Sequence, residues 1–141
     1  MYVPDPNAPL FRFELVTPEK VAISSSEKAV LLPGEEGDLT ILAKHQPMVL
    51  ALRPGIVALS RPTGTPPLEF FISGGFVDIN TDHCIVLAPQ ATRLEELNRA
   101  DIDAKITRLR VDLQAAEDAA ERARMEQQLE ILKLQLDVAT R

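Results

Sequence analysis

The chain has no tryptophan, one tyrosine, one cysteine and two histidines in 141 residues, and each scarcity closes off a class of function. The lone thiol, Cys84, leaves no partner for an intrachain disulfide and suits a reducing compartment. One thiol and two widely spaced imidazoles, His45 and His83, cannot fill the four positions of a structural zinc site. With so few aromatic rings, a sugar-binding sandwich has no stacking platform. No apolar run approaches the roughly 20 residues that a bilayer-spanning helix needs, so direct membrane insertion is not expected. Residues 1–10 are proline-rich and acidic rather than basic then apolar, unlike a secretion signal or transit peptide. The formal charge of −6 divides into 10 acidic and 6 basic residues over 1–89 and 11 acidic and 9 basic over 90–141. Neither half offers the clustered basic face that phosphate binding requires, so nucleic acid and anionic lipid are poor candidate partners. Nor does the chain contain a Gly-x-x-x-x-Gly-Lys phosphate loop or a nucleophile paired with a base, so no catalytic residue is assigned.

A further absence divides the molecule. All eleven prolines and all six glycines lie between Pro4 and Pro89, and the stretch from Gln90 to Arg141 contains neither. Dense backbone breakers mark many turns between short extended segments. Their absence, with abundant Ala, Leu, Glu, Gln, Lys and Arg, marks uninterrupted helix. The expectation is a β-sandwich domain over residues 1–89 followed by a helical domain over residues 90–141.

Alternating and β-branched runs place nine strands near residues 11–16, 21–24, 29–32, 39–43, 49–52, 56–60, 68–73, 76–79 and 84–88. Nine or ten strands with a turn every few residues predict a sandwich or flattened barrel. Ser25, Ser26, Glu27 and Lys28 read as a polar connection, and residues 61–67 as a proline loop that discourages edge pairing. Pro54-Gly55 reads as a type II turn with glycine at the positive-φ position. Residues 80–82 read as a tight hairpin, and Gly74-Gly75 as a bulge or a close backbone approach.

Beyond Pro89 the apolar period lengthens to about 3.5. One seam runs Ile102, Ile106, Leu109, Leu113, Ala116, Ala120, Ala123, and a second runs Met125, Leu129, Leu132, Leu136, two residues out of phase. A straight helix would carry its apolar stripe on two faces, so the phase break predicts an antiparallel hairpin of helices near residues 99–116 and 119–139. N-cap patterns at Asn98 and Asp118 agree with this. No glycine or proline marks the turn, so one continuous helix also fits.

The order Leu32-Pro33-Gly34-Glu35-Glu36-Gly37-Asp38, Lys44-His45-Gln46-Pro47, Pro54-Gly55 and Ser73-Gly74-Gly75-Phe76, ahead of a two-helix tail, resembles the epsilon subunit of bacterial rotary F-type ATP synthases. The resemblance implies a noncatalytic rotor part at the foot of the central stalk, on the cytoplasmic face of the bacterial inner membrane. It would couple the gamma subunit to the c-ring of the membrane sector. It places the c-ring contact on Glu35, Glu36, Gly37 and Asp38 with His45 nearby, and a gamma-side or fold-determining role on Gly74, Gly75 and Phe76. Lys44 stands where the family usually has glycine.

In the family the helices act as a brake on hydrolysis by reaching the alpha/beta catalytic head, through a basic second helix. Here residues 118–141 are not basic. Some relatives bind ATP through Ile-Asp-x-x-Arg-Ala at the start of the first helix. This chain reads Ile102-Asp103-Ala104-Lys105-Ile106-Thr107, which leaves Lys105 and Arg108 as the cations beside Ile102 and Asp103 in place of the bidentate guanidinium. Without the resemblance, the same pattern describes a β-sandwich adaptor that dimerises through a C-terminal coiled coil.

Overall fold

The computed structural model describes residues 7–61 and 65–140. Expectations placed on residues 1–6, and on residues 62–64 of the proline loop, lie outside them. Two compact units are present, Met1–Arg93 and Leu94–Arg141. The first holds ten strands: β1 (Phe11–Val16), β2 (Val21–Glu27), β3 (Ala29–Gly34), β4 (Gly37–Leu42), β5 (Met48–Leu52), β6 (Gly55–Ser60), β7 (Leu68–Ile72), β8 (Gly75–Ile79), β9 (His83–Leu87) and β10 (Ala91–Arg93). The tenth pairs with β7, so the β unit runs past the boundary at residue 89 that the last proline suggested.

These strands form two ribbons. One runs β10-β7-β6-β3 with β4 on the free edge of β3, and the other runs β5-β8-β9-β1-β2. Every pair is antiparallel except β1 with β9. The ribbons meet where Gly34 of β3 pairs with Leu52 of β5. Alternation fills the space between them: Phe11, Phe13 and Leu15 from β1 are buried together with Val30, Leu32, Val57, Leu59, Phe70, Ile72, Val77, Ile79, Cys84 and Val86. Burial, reinforced by the charge of Asp78, pushes the Cys84 thiol up to about 12, so it stays protonated and acts as a small apolar side chain.

Two local expectations are corrected, and the close backbone approach expected at Gly74-Gly75 is found. The polar segment 25–28 is no solvated connection: β2 continues through Glu27, whose side chain is fully buried, and Lys28 is 6% exposed. Burial of Glu27 is compensated by Ser25 Oγ, which donates to Oε2, and by Arg61 Nε, 3.3 Å from each carboxylate oxygen. Gly55 does not take a positive φ; it opens β6, and a Cβ there would lie 2.8 Å from Pro33 Cβ, so close approach is the reason for glycine. At Gly74-Gly75 the chain crosses from one ribbon to the other, with φ of 109° and 143°. A Cβ on Gly75 would also lie 2.1 Å from the Leu87 carbonyl oxygen.

The second unit is a pair of packed helices, α1 (Arg99–Ala115) and α2 (Ala119–Ala139), joined by three residues. Asn98 caps α1, its Oδ1 accepting from the N–H of Ala100 at 2.9 Å and of Asp101 at 3.2 Å. Asp118 occupies the N-cap position of α2 without a side-chain bond. The turn needs no glycine because Arg122 of α2 reaches back, its Nη1 donating to the carbonyls of Leu113 at 2.9 Å and Ala116 at 3.4 Å. The guanidinium thus satisfies C-terminal carbonyls of α1 that a left-handed glycine cap commonly satisfies.

Two outcomes follow for stability. Replacing Arg61 with Ala removes the guanidinium that faces the buried Glu27 carboxylate, and is expected to lower the unfolding free energy by about 2–4 kcal/mol in denaturant titration. The paired change Glu27→Leu with Arg61→Leu should recover most of that. Gly75→Ala meets both a forbidden φ and the Leu87 carbonyl, and is expected to cost about 3 kcal/mol or more by the same titration.

Candidate partner-binding surfaces

The β3–β4 hairpin turns on two residues, Glu35 and Glu36, between a paired Gly34 and Gly37. Neither glutamate takes a positive φ, so the unusual backbone falls on Gly37 at φ 142°, a value closed to residues with a side chain. A Cβ on Gly34 would sit 2.4 Å from the Gly37 carbonyl oxygen. The tip is held from the side by the β5–β6 connection. The Glu35 N–H donates to the Ala51 carbonyl at 3.0 Å, and the Arg53 N–H to the Pro33 carbonyl at 2.9 Å. The Arg53 guanidinium donates from Nη1 to the Gly34 carbonyl and from Nη2 to Asp38 Oδ1. Glu35 and Glu36 are both exposed, and among the described residues no ion pair engages either.

His45 does not share this tip. The six residues of β4 separate them by about 20 Å of extended chain. Lys44 adopts a left-handed φ of 63° and donates its N–H to the Thr81 carbonyl at 2.9 Å, which places His45 beside the 80–82 hairpin. The conformation that glycine usually supplies is therefore present, carried by lysine. His45 Nδ1–H donates to the Gln46 carbonyl at 2.8 Å, and Asn80 Nδ2 donates to His83 Nε2 at 3.0 Å. Both imidazoles brace loops.

A second surface lies on the outer face of the β5-β8-β9-β1-β2 ribbon. Register aligns Ala51 with Phe76, Phe76 with Leu87, Leu87 with Val16, and Val16 with Val21. One apolar row thus crosses five strands. Phe76 is 57% exposed, Val21 54% and Leu87 52%, so Phe76 belongs to the surface and not to the core. Val49, 69% exposed, extends the row on β5. Continuous apolar runs such as Val49-Leu50-Ala51-Leu52 and Cys84-Ile85-Val86-Leu87 were the sequence signal for it, since a strand apolar on both faces has something to bury on each. Ala51 belongs to the row and also accepts the Glu35 N–H, so the acidic tip and the apolar row adjoin.

At the start of α1, Ile102 is buried, while Asp103, Lys105 and Arg108 are exposed. Asp103 lies 4.0 Å from Arg99 across one turn, and its carbonyl accepts from Thr107 Oγ1 at 3.0 Å. Lys105 and Arg108 follow on the same helix, and the Ile102 side chain is turned away from solvent. No described helix is long and apolar enough to cross a membrane, and no cluster of His, Cys, Asp and Glu among the described residues is arranged to hold a metal.

Comparison with known proteins agrees with this architecture. The family model for the ATP synthase delta/epsilon chain β-sandwich domain matches residues 10–94. ATP synthase epsilon chains from Chelativorans sp. strain BNC1 and Mesorhizobium japonicum are 39% and 34% identical, each match covering 85% of this chain and 88% of the relative. The epsilon chain of Brucella anthropi is 37% identical over 84% of this chain and 87% of its own. A chain in the cryo-EM structure of the Euglena gracilis mitochondrial ATP synthase, comprising OSCP, F1 and c-ring, superposes with a TM-score of 0.76 at 26% identity, covering 99% of this chain and 88% of that one. A chain of the Tetrahymena thermophila central stalk and c-ring shares the fold, with a TM-score of 0.63 at 15% identity over 94% of this chain and 98% of that one. Sandwich, turn chemistry and relatives converge: this chain belongs to the ATP synthase epsilon-chain family.

Proposed function

We propose that this chain is a noncatalytic rotor subunit of a proton-translocating ATP synthase, seated at the foot of the central stalk on the cytoplasmic face of the bacterial inner membrane. It couples the gamma subunit to the c-ring. The observation that carries the reading is the adjacency of two chemically different surfaces on one rigid sandwich. A joint that passes torque between two partners needs two such surfaces and no moving chemistry between them.

The acidic tip, Glu35, Glu36, Gly37 and Asp38, suits the polar loop ends of a c-ring, where charge complementarity sets register and encounter. The apolar row through Phe76 suits gamma, because covering a half-exposed Phe, Leu or Val contributes about 1 kcal/mol each. Gly74 and Gly75 support that row by letting the chain cross between ribbons immediately before Phe76. His45 contributes by fixing its loop at the opposite end of β4. Any regulatory action of the helical pair on the alpha/beta head would use contacts other than the basic second helix of the family, since residues 118–141 are not basic. Its apolar seam is shared between α1 and α2 of one chain, which favours this reading over an adaptor dimerised through a coiled coil.

Two measurements test the assignment. Reversing Glu35, Glu36 and Asp38 together to Lys is expected to release the soluble sector from c-ring-containing membranes at moderate salt while the isolated chain keeps its unfolding midpoint; retention equal to wild type removes the tip from the c-ring contact. Phe76→Glu with Leu87→Glu is expected to weaken binding to purified gamma by about tenfold or more in titration calorimetry. Undiminished gamma binding by that double variant would move the gamma contact elsewhere.

A further inference from the structure

Three carboxylates within four residues at a two-residue turn repel one another, and a flexible tip would spread them. One guanidinium prevents this. Arg53 stands on the neighbouring β5–β6 connection, and its fork spans the mouth of the hairpin, one nitrogen on the Gly34 carbonyl of β3 and the other on Asp38 of β4. Its own N–H is fixed to Pro33, and the Glu35 N–H is fixed to Ala51, so the tip is held at both its main chain and its side chains. We infer that Arg53 is the positioning residue of the acidic tip: it consumes the charge of Asp38 and presents Glu35 and Glu36 as the two carboxylates that meet the partner. The inference rests on the reading of the tip as the c-ring contact and names which of its acids take part. The planar fork is the reason for arginine, since an ammonium offers a point charge that cannot hold both acceptors in fixed geometry.

Geometry and simple charge attraction predict opposite results for Arg53→Gln. That change leaves three carboxylates unopposed, so attraction alone strengthens attachment to a basic or polar partner. If Arg53 positions the tip, attachment to c-ring-containing membranes falls about tenfold despite the added negative charge, and Arg53→Lys, which keeps the charge without the fork, falls several-fold. Glu35→Gln and Glu36→Gln each flatten the salt dependence of attachment. In the free full-length chain, hydrogen exchange at the Glu35 amide quickens about tenfold or more in Arg53→Gln, while the amides of Val77 and Val86 keep their rates. Retention of Arg53→Gln at or above wild type, in a preparation where the triple reversal detaches, overturns the inference and spares the c-ring reading. Should the triple reversal itself remain attached, the c-ring reading fails, and the exchange measurement decides the role of Arg53 alone: an unchanged Glu35 rate overturns it.

Discussion

The whole β unit depends on one crossing point, where the two ribbons share backbone hydrogen bonds at Gly34 and Leu52. Little room is left there for further side chains. Gly55 faces Pro33 with no room for a Cβ, and the Pro33, Gly34 and Ala51 carbonyls are each taken by a donor from the opposite turn. Buried or half-buried peptide groups left without partners are costly, so this dense pairing locks the two connections together. The same bonds fix the acidic hairpin tip on one side and place Ala51 in the apolar row on the other. The two surfaces therefore inherit their spacing from backbone pairing, with the Arg53 guanidinium fixing the tip.

Rigidity fits the proposed role of passing torque between two partners. The sandwich is filled by aliphatic and phenylalanine side chains, and its cysteine, Cys84, is buried and held protonated. Its buried charge is compensated: Glu27 meets Arg61 and Ser25. A fully buried carboxylate of this kind fixes the β2–β3 corner more than it stabilises it, since an apolar replacement of both partners costs little. The helical unit is built differently. Its residues from α2 are at best half-buried, and α1 buries only Ile102 and Ile106. Its cohesion therefore comes from many partial contacts and from caps such as Asn98 and Arg122.

Much of this was legible in sequence because punctuation and period are local. Alternation gave β1 through Phe11, Phe13 and Leu15, and the two-residue slip between the helical seams gave the hairpin. What escaped was decided by contacts distant in sequence. Glu27 reads as solvated until Arg61, one residue past the end of β6, reaches its carboxylate. Asp38 reads as a third free acid until Arg53 takes it. Gly55 has the signature of a type II turn, yet the facing Pro33 sets its role. The row Val16, Val21, Ala51, Phe76 and Leu87 exists only once register brings five strands side by side. Lys44 shows the converse: sequence suggested a lost glycine conformation, and the bond to Thr81 keeps it.

The parallel pairing of β1 with β9 also governs the order in which this chain reaches its final form at the ribosome. Local hairpins such as β3–β4 and β6–β7 close as soon as they emerge, but β1 waits for a neighbour roughly 70 residues downstream. Until His83–Leu87 is synthesised, the β1–β2 hairpin has an open edge and uncovered Phe11, Phe13 and Leu15. Joining such distant strands is slow because the intervening loop must close first. Nascent chains halted before β9 are consequently the vulnerable species, open to chaperones or to one another.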